Sequence, residues 1–442
     1  MRVAPKKELT LFDSTCIIVG IIIGAGIYET APVVASSMGG GPGALAIWLA
    51  GGLLALSGAL CYAELATAYP REGGDYVYLS RAYGGWAGFQ FGWSQLALIR
   101  PGDIALLAFV FASYAQTLYA PFENSKPYYA AAAIVVLTGI NLLGVKQGKW
   151  TQNILTVVKA LGLLAIVAAG LASPGPPPAS GQPAPLTMDG LKLALILVLF
   201  TFGGWNEMAY VAAEVKRPRR NIARALVIGT VLVTALYVLV NGAFLRALGY
   251  QAMASSGAVA VDTMATAFPR AASRVIAVFV CVSALGAVNG LIFTGARISY
   301  ALGAEHAAFR ALGRWSPRLG VPAWALVVQG CLSLAIVLFI GSFVDTLLYT
   351  APVVWLFFLA TGLSVVVLRR KEPRTPRPFQ APAHPLMPIL FCACCAFMLY
   401  SCVTYAWANK PAGLIVAFGA LASGTFVYWL IESRMRPPEP AP

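Results

Sequence analysis

Apolar residues along this 442-residue chain come in runs of about 20, the length a helix needs to cross the hydrocarbon of a bilayer, with charges gathered between the runs. The runs predict twelve helical spans, near residues 12–37, 43–69, 84–119, 127–145, 150–171, 190–214, 222–246, 274–302, 322–341, 344–368, 386–406 and 411–432. The third and eighth exceed what a bilayer requires and are expected to tilt or project from it. A proline-rich stretch, Pro174–Pro185, reads as the loop between the fifth and sixth spans.

Two spans carry glycine at their centres. The first holds Ile21-Ile22-Ile23-Gly24-Ala25-Gly26-Ile27 and the sixth holds Phe200-Thr201-Phe202-Gly203-Gly204-Trp205. Lipid offers no partner to an opened N–H or C=O, so a broken helix survives at that depth only where it lines a cavity or is covered by protein. Glycine also permits close packing of intact helices, and that reading explains a single cluster well. Matching clusters in the first and sixth spans instead predict two interrupted helices and a five-span unit used twice, near 12–171 and 190–368. Five is odd, so the second unit inserts upside down relative to the first. The last two spans, 386–432, lie outside the repeat, and the whole of 1–442 reads as one all-α polytopic membrane domain.

Composition agrees. The chain is 59% hydrophobic and 11% charged, where soluble domains carry about 25% charged residues. Basic residues before the first apolar run imitate a signal peptide, but the run is too long and too many spans follow, so it is expected to be retained. The net charge of +14 raises the question of nucleic acid. With the N-terminus inside and the spans alternating, twenty-two Lys and Arg fall on the cytoplasmic side, Lys216–Arg220 and Arg369–Lys371 among them. Only six (Lys126, Lys192, Arg246, Arg270, Arg274 and Lys410) fall outside. That asymmetry orients both termini to the cytoplasm and explains the charge without a polyanion partner. The eight cysteines fall in apolar spans with no CxxC spacing, and are expected to act as small hydrophobes.

The breaks define a chemistry. Where the first span opens, the N–H groups of Gly24, Ala25 and Gly26 face the start of the next half-helix, a positive dipole end that suits a carboxylate. The carbonyls of Ile22 and Phe200 are expected to be free acceptors for an ammonium. Carboxylate and ammonium held together by backbone describe an α-amino acid, its side chain sorted by Phe202, Gly203 and Trp205. No His, Asp or Glu lies in either break, so neither a metal site, a cofactor nor a catalytic dyad is indicated.

Ionisable residues inside spans are costly and mark function. Lys159 lies nine residues past the interfacial Trp150, roughly 13 Å deep at 1.5 Å per residue. Its ammonium is expected to replace a sodium ion as the charge tying the fifth span to the first. Arg100 is expected to pair inside the bundle with Asp103, or to reach back to the interface. Glu64, Glu207 and Glu214 are expected to gate or to pair with basic loops. His306 and His384 fall in loops, against a buried histidine relay.

With these residues in view, the chain resembles the L-type amino acid transporter (LAT) family of the amino acid–polyamine–organocation superfamily over nearly its full length. The resemblance rests on Ile22-Ile23-Gly24-Ala25-Gly26-Ile27, Cys61-Tyr62-Ala63-Glu64-Leu65 with Gly73-Gly74-Asp75-Tyr76, and Ile99-Arg100-Pro101. It continues in Gly203-Gly204-Trp205-Asn206, Asn241, Val288-Asn289-Gly290 and Arg369-Arg370-Lys371 before Arg377-Pro378-Phe379. It implies a LeuT-type fold and sodium-independent transport or exchange of neutral L-amino acids by alternating access. Ala25 and Gly26 would bind the carboxylate and Ile22 and Phe200 the amine. Phe202 would gate the substrate, with Asn241 and Ser283 nearby and Lys159 in the sodium position. Ile23, Gly24, Gly203, Trp205 and Asn206 complete the expected site. Two departures stand out. Ala25 lacks the hydroxyl the family often has, and the loop Pro121–Pro127 has no cysteine for a disulfide-linked heavy chain. The resemblance therefore implies a free-standing prokaryotic member in the inner membrane. Alternatives are a proton-coupled symporter on the same fold and, less favoured, an amine or polyamine antiporter, whose site should carry acidic residues. A membrane enzyme or sensor lacks any supporting constellation.

Overall fold

A computed structural model describes residues 6–175, 185–339, 343–409 and 411–435. The middle of the expected loop Pro174–Pro185, and Arg2, Lys410 and Arg436 of the charge count, lie outside the described residues. The apolar runs form helices because only a helix satisfies every backbone group within its own segment. In order these are α1 (Leu11–Ile22), α2 (Gly26–Ser37), α3 (Gly41–Ala68), α4 (Asp75–Tyr83), α5 (Gly85–Ser94), α6 (Arg100–Leu118), α7 (Lys126–Leu142) and α8 (Val145–Ala172). There follow α9 (Met188–Thr201), α10 (Pro218–Ser255), α11 (Val259–Ala265), α12 (Ala272–Glu305), α13 (Ala323–Phe339), α14 (Phe343–Lys371), α15 (Leu386–Asn409) and α16 (Pro411–Met435). A π-helical turn, Gln95–Ile99, joins α5 to α6, and a 3₁₀ segment, Glu207–Glu214, follows α9.

Among the described residues, eight helical stretches are long and apolar enough to cross a membrane, or nine when α1 and α2, bent by 52°, count as one broken span. The expected fourth and ninth spans are 17-residue helices, α7 and α13, and the sixth is the 14-residue α9 with the segment beyond it. Two short helices, α4 and α11, fall between the expected spans.

The core forms around α12, whose stretch Ala287–Leu302 is buried throughout. α1, α6, α8 and α13 pack about it, while α15 and α16 bury only 22% and 17% of their apolar windows. The tail before α1 clasps the 3₁₀ segment: Glu8 and Leu9 N–H donate to the Glu214 carbonyl, both at 2.9 Å, and Lys216 N–H donates to Leu9 at 2.8 Å. α1 begins with a capping box in which Thr10 and Asp13 satisfy each other's backbone N–H. Asp13 then accepts from Lys149 (3.1 Å) and Asn153 (2.7 Å), fixing α1 against α8.

Candidate functional site

Both glycine clusters break their helices. At Ile23 the backbone leaves the helix for φ −72°, ψ 82°, near an inverse γ-turn, and Gly24 N–H bonds the Ile22 carbonyl at 2.7 Å. A continuing helix would have used the Gly20 carbonyl, which is thereby released. α2 restarts at Gly26, its first bonds running from Tyr28 and Glu29 to the Ala25 carbonyl. The N–H groups of Ala25, Gly26 and Ile27 precede that first turn and stand as its open donors. The second break follows Thr201. Gly204 turns to φ +110°, and a Cβ there would sit 2.6 Å from Ile21 Cγ2. Only glycine lets the two breaks approach this closely.

Lys159 is fully buried and holds the first break together. Its ammonium donates to the carbonyls of Gly20 (2.6 Å) and Ile23 (2.9 Å) on the α1 side and to Ser283 on α12 (2.8 Å). Ser283 Oγ donates to Ile23 as well, at 2.8 Å. Three carbonyl oxygens from two helices thus surround one cationic group. Gly286, one turn along α12, leaves room for it: a Cβ there would lie 2.7 Å from the ammonium.

The structure brings Ile22, Ile23, Gly24, Ala25, Gly26, Phe202, Ser283 and Lys159 around the breaks, with adjustments, and places Asn241 one turn beyond Tyr237 on α10. The Gly24 N–H, expected as an open donor, and the carbonyls expected to be free are engaged: Ile22 accepts from Gly24 N–H and from Tyr237 Oη at 2.9 Å, and Phe200 accepts from Gly203 N–H at 3.0 Å. Phe200 is itself 37% exposed. Gly26 faces Thr201 at close range, 3.1 Å from its own Cβ position to Oγ1, whereas a Cβ on Gly24 would meet only the Ile22 carbonyl, at 4.0 Å. Gly24 is thus the glycine whose side-chain direction is free. Phe202 is buried against Tyr237 and Trp48, with centroids 5.1 and 6.3 Å away. Asn241 donates to the Tyr237 carbonyl at 2.8 Å and its Oδ1 is buried without a partner among the described residues.

Two expected members point elsewhere. Trp205 packs on Tyr62, Phe358 and Phe391, away from the first break. Asn206 donates to Tyr210 Oη at 2.7 Å, and Tyr210 donates to buried Asp75 at 2.7 Å. Asp75 also accepts from Tyr62 Oη and, at 2.5 Å, from Thr361. Burial pushes its carboxyl up to about 6, with the hydroxyl bonds working against the rise.

The buried charges are paired differently from the sequence expectation. Arg100 grips Glu207 through three 3.0 Å bonds, not Asp103, and Thr294 donates to the same carboxylate at 2.5 Å. The π-helical turn just before Arg100 adds a residue to the helix and so shifts the rotation of α5 relative to α6. Glu214 pairs with Arg297 of α12 at 2.7 Å, both fully buried, so Glu207 and Glu214 are held by helical arginines and not by loops. Glu64 does meet the basic end of α14, bonding Arg369 at 2.7 and 2.6 Å. Tyr237, Thr201 and Arg297 were not singled out in the sequence. Tyr237 was signalled by its place one turn before Asn241, and Arg297 by being a charge deep in the eighth span.

Comparison with known proteins accords with this arrangement. A family model described as amino acid permease matches residues 9–430. The chain is 33% identical over 439 residues to the Mus musculus protein named b(0,+)-type amino acid transporter 1, covering 96% of this chain and 88% of that one. It is 32% identical over 440 residues to the Mus musculus large neutral amino acids transporter small subunit 2 (97% and 81% covered). It is 31% identical over 443 residues to the Mus musculus Asc-type amino acid transporter 1 (97% and 82% covered). The resemblance read from the motifs therefore holds over most of the chain: it belongs to the amino acid permease family, whose members are multi-pass membrane transporters and not enzymes.

Proposed function

We propose that this chain is a sodium-independent transporter or exchanger of neutral L-amino acids, working by alternating access between two inverted five-span repeats (12–171 and 190–368) followed by two further spans. In this reading the twelve spans place both termini in the cytoplasm of a bacterial cell, with no disulfide-linked heavy chain. The substrate carboxylate meets the open N–H groups of Ala25 and Gly26 at the start of α2, where aligned peptide dipoles favour an anion. The amine lies on the carbonyl side of the breaks, exchanging with the turn bonds that occupy Ile22 and Phe200 here. Phe202, on Tyr237 and Trp48, closes the site, and the half-buried space beside Gly24 and Gly203 admits a small side chain.

The observation that carries this reading is the Lys159 ammonium bonded to Gly20, Ile23 and Ser283. A resident cation there does what a bound sodium would do, holding the broken first span against α8 and α12, so no ion need enter with the substrate. Exchange in proteoliposomes tests it. Vesicles loaded with L-alanine should take up labelled L-alanine equally with sodium or choline outside, and empty vesicles should accumulate little under an imposed pH gradient. Uptake that requires sodium refutes the reading; accumulation driven by inward protons replaces exchange with symport.

A further inference from the structure

On the outer wall between α3 and α10 lies a groove of about 480 Å³, within the size range of ligand sites, roughly 300–1,000 Å³. Leu49, Leu53 and Leu56 form one wall, and Val231, Ala235 and Leu239 the other. Its floor is shallow because Gly52 meets α10 directly: a Cβ on Gly52 would sit 2.3 Å from Thr234 Cγ2. The Thr234 hydroxyl donates to the Thr230 carbonyl at 2.7 Å and offers the groove no unspent donor. Leu49, Leu53, Val231 and Leu239 are about half exposed on the outside of a membrane protein. The occupant of this groove is accordingly hydrocarbon.

The groove has a charged end. Along α10 the exposed positions Arg220, Arg224, Ile228, Val231, Ala235 and Leu239 recur three or four apart on one stripe, while Ile222, Ala223, Leu226 and Gly229 face the core. At 1.5 Å per residue, Arg224 stands about 10 Å beyond Val231, with Arg220 one turn further. Neither guanidinium joins an ion pair among the described residues. One stripe thus runs from two unpaired cations into an apolar slot. That is the complement of an amphiphile with an anionic head and a long chain.

We propose that α3 and α10 bind one anionic phospholipid, its phosphate on Arg220 and Arg224 and one acyl chain in the groove. Charge and hydrocarbon act together here, unlike a general basic surface, which would hold the head and leave the chain in bulk lipid. Native mass spectrometry of the full chain from detergent, titrated with phosphatidylglycerol or phosphatidylcholine of identical acyl chains, tests the site. The wild type should retain phosphatidylglycerol in preference. Arg220→Gln with Arg224→Gln should weaken that retention about thirtyfold, the effect of two basic residues at an anionic membrane surface. Ala235→Trp fills the groove from its exposed side and should cut phosphatidylglycerol retention with both arginines in place. Excess inorganic phosphate should not displace the lipid. Equal retention of the two lipids, displacement by phosphate, or full retention by Ala235→Trp would each overturn the proposal.

Discussion

Removing the Lys159 ammonium isolates one tie between three helices. In Lys159→Ala the Gly20 carbonyl loses its Lys159 donor, at a cost of about 1–3 kcal/mol for a buried unsatisfied acceptor. Ile23 keeps the Ser283 hydroxyl, and the Ser283 carbonyl lies within α12, where the helix supplies its own donor. Against these losses stands the relief of a buried charge's desolvation, itself several kcal/mol. The desolvation relieved and the three charge-assisted bonds lost are of similar size, so the net fall in global stability is set by the orphaned Gly20 acceptor, about 1–3 kcal/mol. The local effect is larger in proportion. A single charge-assisted bond is worth about 1.5–3 kcal/mol, so freeing α1 from α8 should lower the population of the competent break, and the initial rate of exchange, at least roughly tenfold. Gly286→Ala makes the complementary test, because its methyl group would displace the ammonium while keeping the charge. The assay is labelled L-alanine exchange in proteoliposomes, with thermal unfolding in detergent as the control for folding. Wild-type exchange in Lys159→Ala would show that the three-carbonyl tie has no part in transport.

Gly24→Val should abolish exchange while the purified protein keeps its unfolding temperature, since a Cβ there meets only the Ile22 carbonyl at 4.0 Å; Gly26→Val should lower that temperature as well, by pushing on Thr201. Glu207→Gln should cost about 3–5 kcal/mol by stranding buried Arg100, and Arg100→Met with Glu207→Met should recover most of it, read by thermal unfolding. The Asp75 carboxyl is raised from 3.8 to about 6 by burial, so its contribution is present in acid and lost as pH rises through about 6. The change is on the order of 3 kcal/mol between pH 4 and 6, and Asp75→Asn should flatten the stability profile over that interval.

The hydrophobic pattern located the helices, because lipid admits so few alternatives to a helix. The glycine clusters located both breaks, and the depth of Lys159 announced its burial. Contacts set by rotation about a helix axis were not legible. Arg100 turns to Glu207 because a π-helical turn shifts α6, and no periodicity announces that insertion. Trp205 directly follows Gly204 yet points to Tyr62 and Phe391, because the positive φ at Gly204 takes the chain out of helical register. Gly24 and Gly26 looked equivalent as letters and differ only in which neighbour their missing side chain would meet. The Ile22 and Phe200 carbonyls looked free because sequence shows where a helix ends and not the short turns that then reuse its acceptors.

Amide hydrogen exchange across residues 20–30 and 198–207, measured in sodium-free buffer with and without L-alanine, probes the proposed site at its source. Binding at the backbone of both breaks predicts slower exchange in both segments on adding L-alanine, with sodium making no difference and L-arginine having little effect, for want of a carboxylate to receive its side chain. Protection that appears only with sodium, or that leaves 20–30 unchanged, would contradict recognition of the substrate by the broken first span.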